Sequence, residues 1–166
     1  MRWAVLFMGS GVLAIAVAAG GTALAASKKA ETEWQPPSHI QMAPMMLPAG
    51  HTRVPITLFL EAATPEKSEG ICKQMPRVRD AVLLAVSRQP IPVNNQRLVL
   101  DGLDRRLLNP VNRAIGKPLV KKIFVAKGAV AVGAGKIKYR PFAVIDGCAN
   151  VLRSEREREQ ARRTGN

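Results

Sequence analysis

Residues 3–26 carry no ionisable side chain, and the sequence becomes polar at once at Ser27. An apolar run of more than about 18 residues can span a bilayer, whereas a basic start and a small-x-small ending are typical of a secretory signal. Here the run follows Arg2 and ends in Ala23-Leu24-Ala25. Signal cleavage before Ala26 is therefore one expectation, and a retained membrane anchor is the other. Both place the rest of the chain outside the cytoplasm.

The remaining chain divides by composition into three further parts. Residues 27–51 contain four prolines and many polar side chains, so we predict a flexible tether in which His39 and His51 are solvated. Residues 52–150 are long enough for one small domain. Residues 151–166 mix charges of both signs and show no apolar stripe, which predicts a solvated charged tail.

The chain is strongly basic, with 25 Lys and Arg against 12 Asp and Glu. Such a surplus attracts polyanions, and outside a bacterial cytoplasm these are anionic lipids, envelope polymers or acidic proteins. Aromatic residues make up only 4 % of the sequence and are not interleaved with the basic ones, as they are in single-strand binding platforms. We therefore do not expect a nucleic-acid partner.

Cys72 and Cys148 are the only two cysteines. In an oxidising compartment an even number of cysteines is compatible with a disulfide, provided that the Cα atoms lie within about 7 Å. A pair of buried free thiols is the alternative, because unpaired cysteine is commonly buried.

The residue patterns predict a small α+β domain in the order β-α-α-β-β, with an antiparallel sheet packed on helices. Apolar and other side chains alternate over residues 54–61, which predicts a strand with one buried face. An amphipathic helix is expected after Pro76, with Leu83 and Leu84 widening its apolar face. A second helix is expected over 96–115 with a kink or break near Pro110, and two strands are expected over 119–133 and 137–145.

We find no catalytic, metal-binding or cofactor-binding constellation in the sequence. No phosphate-binding glycine loop precedes a helix, and neither Ser68 nor Ser87 has a histidine within the predicted domain to activate it. The expectation is a protein without a cofactor that is not an enzyme.

The order of the motifs resembles the flagellar basal-body-associated FliL family. The matching segments are VPITLFLE, MPRVRDAVLLAVS, NPVNRAIG and LVKKIFVAKGAVAV, within residues 53–132, about half of the chain. The most specific part is the run from Pro76 to Asp80. The chain departs from the family in its signal-like ending, its very short N-terminus and an additional C-terminal strand and tail with Cys148.

This resemblance implies a periplasmic domain with a stomatin-like fold, held at the bacterial inner membrane through residues 3–26 and forming a homo-oligomer. The implied function is that of a non-enzymatic accessory of the flagellar motor, active in motility and chemotaxis, with stator and basal-body proteins as partners. In that interpretation Arg77, Arg79 and Asp80 orient the first helix or contact a neighbouring subunit. A cleaved signal would remove the membrane tether.

The alternative function rests on charge and on the cleavable signal. It is a secreted, basic periplasmic module that binds an anionic envelope polymer or a membrane surface.

Overall fold

A long central strand organises the protein, which we describe from a computed structural model for residues 34–132, 136–137 and 140–165. The expected cleavage residues Ala23, Ala25 and Ala26 lie outside the described residues, as does the whole apolar run. All described residues belong to one compact unit of mixed helices and strands. The strands are β1 His39–Gln41, β2 Met45–Ala49, β3 Thr52–Ala62, β4 Val93–Asn94, β5 Arg97–Leu98, β6 Val120–Lys127 and β7 Ile145–Gly147. The helices are α1 Ser68–Lys73, α2 Met75–Arg88, α3 Leu103–Ile115 and α4 Cys148–Thr164, and a short 3-10 helix spans Pro65–Lys67.

Three strands pair with the central strand β3, and all three are antiparallel to it. β2 pairs with the first half of β3 and β1 with the second half, while β6 pairs along Ile56–Ala62. Because β1 and β6 pair with the same stretch of β3, they must lie on its opposite edges. β7 then pairs with β1 in the parallel direction. The predicted antiparallel sheet is therefore correct for three pairings and wrong for the fourth.

The helices and one face of the sheet form the hydrophobic core. α2 packs on β2 and on α3, α3 packs on β6, and α1 packs on α4. Helix α2 buries Val78, Val82 and Val86, which recur every four residues and so form one stripe. Leu58 and Leu60 of β3 are also fully buried in this core.

The predicted flexible tether is wrong for its described part, because that part supplies β1 and β2. Met45 and Leu47 of β2 are buried, and Met42 donates its backbone N–H to the carbonyl of Leu58 at 2.9 Å. Pro48 fits because it lies in an edge strand, where a missing N–H costs little. The domain therefore begins before residue 52, and His39 is buried rather than solvated.

Both faces of β3 are buried from Ile56 to Ala62, although alternation predicted one solvated face. The second face carries Thr57, Phe59 and Glu61, and the described residues between β6 and β7 fold over it. We call these residues, which are 128–132, 136–137 and 140–144, the covering segment. The alternation correctly predicts a strand, but a local pattern contains no information about a segment some 70 residues away that covers its second face.

The predicted second helix begins later than expected and does not break. Residues 96–98 belong instead to the hairpin β4–β5. Its two turn residues, Asn95 and Gln96, both have positive φ, as a tight hairpin turn requires. Pro110 lies inside the continuous helix α3. Burial of Leu107 and Val111 on either side of it offsets the lost backbone hydrogen bond.

The observed element order is longer than the predicted β-α-α-β-β. The expected strand over 137–145 is wrong for residues 140–144, because Pro141 cannot donate to a strand ladder and residues 140–143 form a turn. β7 begins only at Ile145, and residues 138–139 lie outside the described residues. The expected charged tail belongs to α4, which starts at Cys148 and buries Val151 in the core. Beyond its first turns α4 is exposed, as its composition predicted.

Candidate interaction surface

The exposed side of α2 carries the residues that the sequence singled out for interaction. Arg77, Asp80, Leu84 and Arg88 are all exposed, and we call these four residues the α2 surface. At about 100° per residue, positions 77, 84 and 88 fall within about 40° of one another on the helix. An apolar side chain is therefore flanked by two arginines, with a carboxylate one turn away.

Arg79 is also exposed, but it lies on a different side of the helix. Two residues rotate the chain by about 200°, so Arg77 and Arg79 cannot both face one flat partner. Leu83, one turn further on, lies on the same side of the helix as Arg79 and is also exposed. The structure thus separates the predicted group Arg77, Arg79 and Asp80 into two sides of α2.

Leu83 and Leu84 do not widen the apolar face of α2, as the sequence had suggested. Leu83 is 37 % exposed and Leu84 is 58 % exposed, whereas Val82, the middle residue of the valine stripe, is fully buried. A narrow valine stripe suffices because α2 makes its main contacts with one helix, α3, and one strand, β2. Two large apolar side chains are consequently available at the surface, beside arginines.

The side chains of Arg77, Arg79 and Asp80 make no hydrogen bond or ion pair within the part of the chain that the structure describes. Asp80 lies in the second turn of α2, too far along to interact favourably with the N-terminal amides of the helix. These charges therefore contribute little to folding, and their physical effect is on whatever approaches α2.

A disulfide joins Cys72 of α1 to Cys148 at the start of α4, with the Cα atoms 5.1 Å apart. Next to it, Lys73 Nζ donates to Glu155 at 2.6 Å and to Glu69 at 2.7 Å. Both hydrogen bonds raise the pKa of Lys73, and the one to Glu155 has the larger effect. The disulfide and this ion pair together fix α4 on α1.

Three basic side chains surround the buried carboxylate of Glu61, and two of them, Lys121 and Arg140, are themselves partly exposed. Arg140 Nη2 donates to Glu61 Oε2 at 3.3 Å, and Lys121 Nζ lies 3.6 Å from Glu61 Oε1. His39 Nε2 is 3.7 Å from Glu61 and is buried without a hydrogen-bond partner among the described residues. Burial lowers the pKa of His39, while Glu61 raises it and Arg140 lowers it further. The imidazole is therefore neutral at pH 7.

Polar side chains of the sheet hold the covering segment in place. Thr57 Oγ1 donates to the carbonyl of Gly128 at 2.8 Å and accepts from the N–H of Val130 at 3.0 Å. Gln41 Nε2 donates to the carbonyls of Val130 and Ala131. Periodicity alone could not assign these roles, since each partner is distant in sequence.

The covering segment leaves one aromatic side chain in solvent. Phe142 is 96 % exposed, and it lies between Arg140, which is 45 % exposed, and Val144, which is 51 % exposed. An aromatic ring this exposed contributes almost nothing to the core. The turn over residues 140–143 holds it outward.

Among the described residues, no cluster of three or more His, Cys, Asp or Glu side chains is placed to hold a metal ion. Within the same part of the chain, no helix has the length and apolar character needed to cross a membrane.

The class of protein that this site defines is a small α+β domain with an exposed helix surface of arginine and leucine. Comparison with protein-family models, curated proteins and solved structures finds no match to this chain.

Proposed function

We propose that this protein is a non-enzymatic accessory of the bacterial flagellar motor, similar in role to the FliL family. In this proposal it supports stator function from the periplasm and contacts stator or basal-body proteins through the α2 surface. The finer parts of the proposal are a stomatin-like fold, assembly into a homo-oligomer and attachment to the inner membrane through residues 3–26.

The observation that carries the proposal is the exposure of Leu84 between Arg77 and Arg88. Protein-binding sites combine apolar anchors with arginine, because the guanidinium group pairs with carboxylates and also packs on apolar surface. The same helix contains the Pro76–Asp80 run, which is the most specific point of resemblance to the family. The sequence resemblance and the surface chemistry thus both favour α2 as the helix that contacts a partner.

Site-specific crosslinking in the source organism tests this proposal. A photo-crosslinking amino acid at Leu84 should yield an adduct whose partner, identified by mass spectrometry, is a stator or basal-body protein. The matched control places the same amino acid at Val93, which is 46 % exposed on the β4–β5 hairpin. Adducts with the same partners from both positions would mean that α2 has no special role. The absence of any motor protein among the adducts from position 84 would refute the proposal.

A second candidate function is favoured by Phe142. An exposed aromatic ring beside cationic side chains suits an anionic membrane surface, where the ring enters the interface and the cations meet the headgroups. The net charge of +13 supports the same function. In this alternative the protein is a secreted basic module on a membrane or on an anionic envelope polymer.

Vesicle sedimentation at two salt concentrations distinguishes the two functions. Binding of the full chain to vesicles with 30 % phosphatidylglycerol should weaken steeply between about 0.1 M and 1 M salt, because the Debye length falls from about 10 Å to about 3 Å. The variant Phe142→Ala should bind less at both concentrations, with Val93→Ala as the control. Binding that neither salt nor Phe142→Ala alters would reject the membrane alternative.

A further inference from the structure

The outer edge of β6 has no neighbouring strand among the described residues, since β6 pairs with β3 alone. The carbonyl of Leu58 in β3 accepts from the N–H of Met42, so the backbone groups of the even-numbered residues of β3 point toward β1. Backbone directions alternate along a strand, so the odd-numbered residues of β3 bond to the even-numbered residues of β6 opposite them, such as Phe124. The N–H and C=O groups of Ile123 and Val125 therefore point outward.

The fold itself satisfies the first outward-pointing residue of β6. Asn112 of α3 donates from Nδ2 to the carbonyl of Val120 at 2.8 Å, and its Oδ1 accepts from the N–H of Val120 at 2.9 Å. An amide side chain thus takes the place of a neighbouring strand. Within the described residues, the outward groups of Ile123 and Val125 have no such partner. The edge is therefore open beyond its first residue.

A groove of about 500 Å³ lies beside this open edge. Residues 122–125 of β6 line it together with Arg140 and with residues 100–102 and Asp104 around the start of α3. Its volume is within the range of ligand-binding clefts, about 300–1,000 Å³. Unpaired strand groups beside a groove are the arrangement in which a domain binds an extended peptide as an additional strand.

One side of the groove is positively charged. Lys122 and Phe124 lie opposite Glu61 and Phe59 of β3, so their side chains are on the second face of the sheet. Lys122 Nζ lies 5.1 Å from the centre of the Phe124 ring, and the guanidinium carbon of Arg140 lies 5.9 Å from it. Two cations thus flank the aromatic ring next to the open edge, where they attract carboxylates.

The charges of the groove also restrict what can occupy it. The α3 side carries Asp101 and Asp104, so an added strand can be acidic on one side only. β6 itself contains three lysines, Lys121, Lys122 and Lys127. Pairing with β6 of a second copy would bring these like charges together, and lysines on an edge strand oppose such self-pairing.

We propose that the open edge of β6 binds an extended segment of a protein partner as an additional strand, with carboxylates at every second position facing Lys122 and Arg140. The backbone of the segment pairs with the outward groups of Ile123 and Val125. Alternate side chains of a strand point to opposite sides, so the residues between the carboxylates face the start of α3 and are uncharged. This inference goes beyond the proposed motor role, because it concerns the sheet edge rather than the α2 surface and holds whichever protein supplies the strand.

Nuclear magnetic resonance of the ¹⁵N-labelled full chain tests the open edge directly. The probe is a capped heptapeptide of alternating Thr and Glu, and its Lys analogue is the charge control. Two N-methylated versions, one methylated at every Thr and one at every Glu, keep the charges but each removes the N–H groups on one edge of the peptide. The Glu peptide should shift the amide resonances of Ile123 and Val125 saturably and slow their hydrogen exchange. One of the two methylated versions should bind at least about tenfold more weakly, because it lacks the donors that face β6.

Four outcomes would overturn the proposal. They are no response to the Glu peptide, an equal response to the Lys analogue, undiminished binding of both methylated peptides, and shifts at Ile123 and Val125 that follow protein concentration without peptide. The third outcome would mean charge attraction without strand pairing, and the fourth would place a second copy of the chain at the edge.

Three variants assign the binding to β6. Val125→Pro removes one outward N–H and leaves the hydrogen bonds to β3 in place, so affinity for the Glu peptide should fall at least about tenfold. Lys122→Gln should weaken binding by a few fold and reduce its salt dependence. Lys67→Gln, at an exposed position of the 3-10 helix, is the matched control and should change nothing. Unchanged affinity in folded Val125→Pro would refute the assignment, and if that variant misfolds, equal affinity of Lys122→Gln and Lys67→Gln would refute it instead.

Discussion

Removal of the Cys72–Cys148 disulfide should destabilise the domain strongly. The two cysteines are separated by 76 positions, so the bond closes most of the domain into one loop. The chain-entropy relation gives about 4 kcal/mol for a loop of this length. α4 should suffer most, because Val151 and Glu155 are its main other attachments to the domain.

Urea unfolding of the oxidised and reduced full chain measures this effect. With a slope of about 2 kcal/mol per molar urea, a loss of about 4 kcal/mol moves the midpoint down by about 2 M. The double variant Cys72→Ala/Cys148→Ala is the control, since adding reductant to it should change nothing further. A loss below about 1 kcal/mol on reduction would refute the loop-closure reasoning.

Three further predictions follow from the buried contacts. Val82→Asp should lower the free energy of unfolding by about 3 kcal/mol or more, or prevent folding, because it buries an unpaired charge. Leu83→Asp should lower it by less than about 1 kcal/mol. Equal thermal midpoints of the two variants would contradict the assigned helix face. Burial lowers the pKa of His39, so the stability of the fold should be full above about pH 6.5 and should decline as the pH falls through the lowered pKa of His39. Chemical denaturation at several pH values checks this expectation, and His39→Gln should flatten the decline. Thr57→Val should cost about 1–3 kcal/mol by leaving two backbone groups of the covering segment unpaired, and it should speed hydrogen exchange at Val130; unchanged exchange there would show that Thr57 does not hold the segment.

Residue patterns predicted those helices and strands that can be recognised from their own residues alone. The valine stripe of α2 recurs every four residues, and helix and burial both follow from it. β3 and β6 were also recognisable from their alternating and β-branched residues. By contrast, β1 and β2 resemble a proline-rich linker until β3 is known to pair with them.

The candidate sites were predictable to different degrees. The exposure of Arg77 follows from its position opposite the valine stripe, so the sequence could find it. The split between Arg77 and Arg79 required the helix geometry to be worked out. The ion pair between Arg140 and Glu61 could not be found at all, because the two residues are 79 positions apart and only the fold brings them together.

The proposed role of the α2 surface in motility is tested most directly by deleting the gene in the source organism and measuring swimming speed. We expect viable, flagellated cells whose swimming is altered and is restored by the wild-type chain. Arg77→Ala/Arg88→Ala should fail to restore it fully, while Arg156→Ala/Arg162→Ala, which removes the same charge from exposed positions of α4, should succeed. Unchanged swimming in the deletion strain would contradict the motor function, and full rescue by Arg77→Ala/Arg88→Ala would contradict the role of the α2 surface.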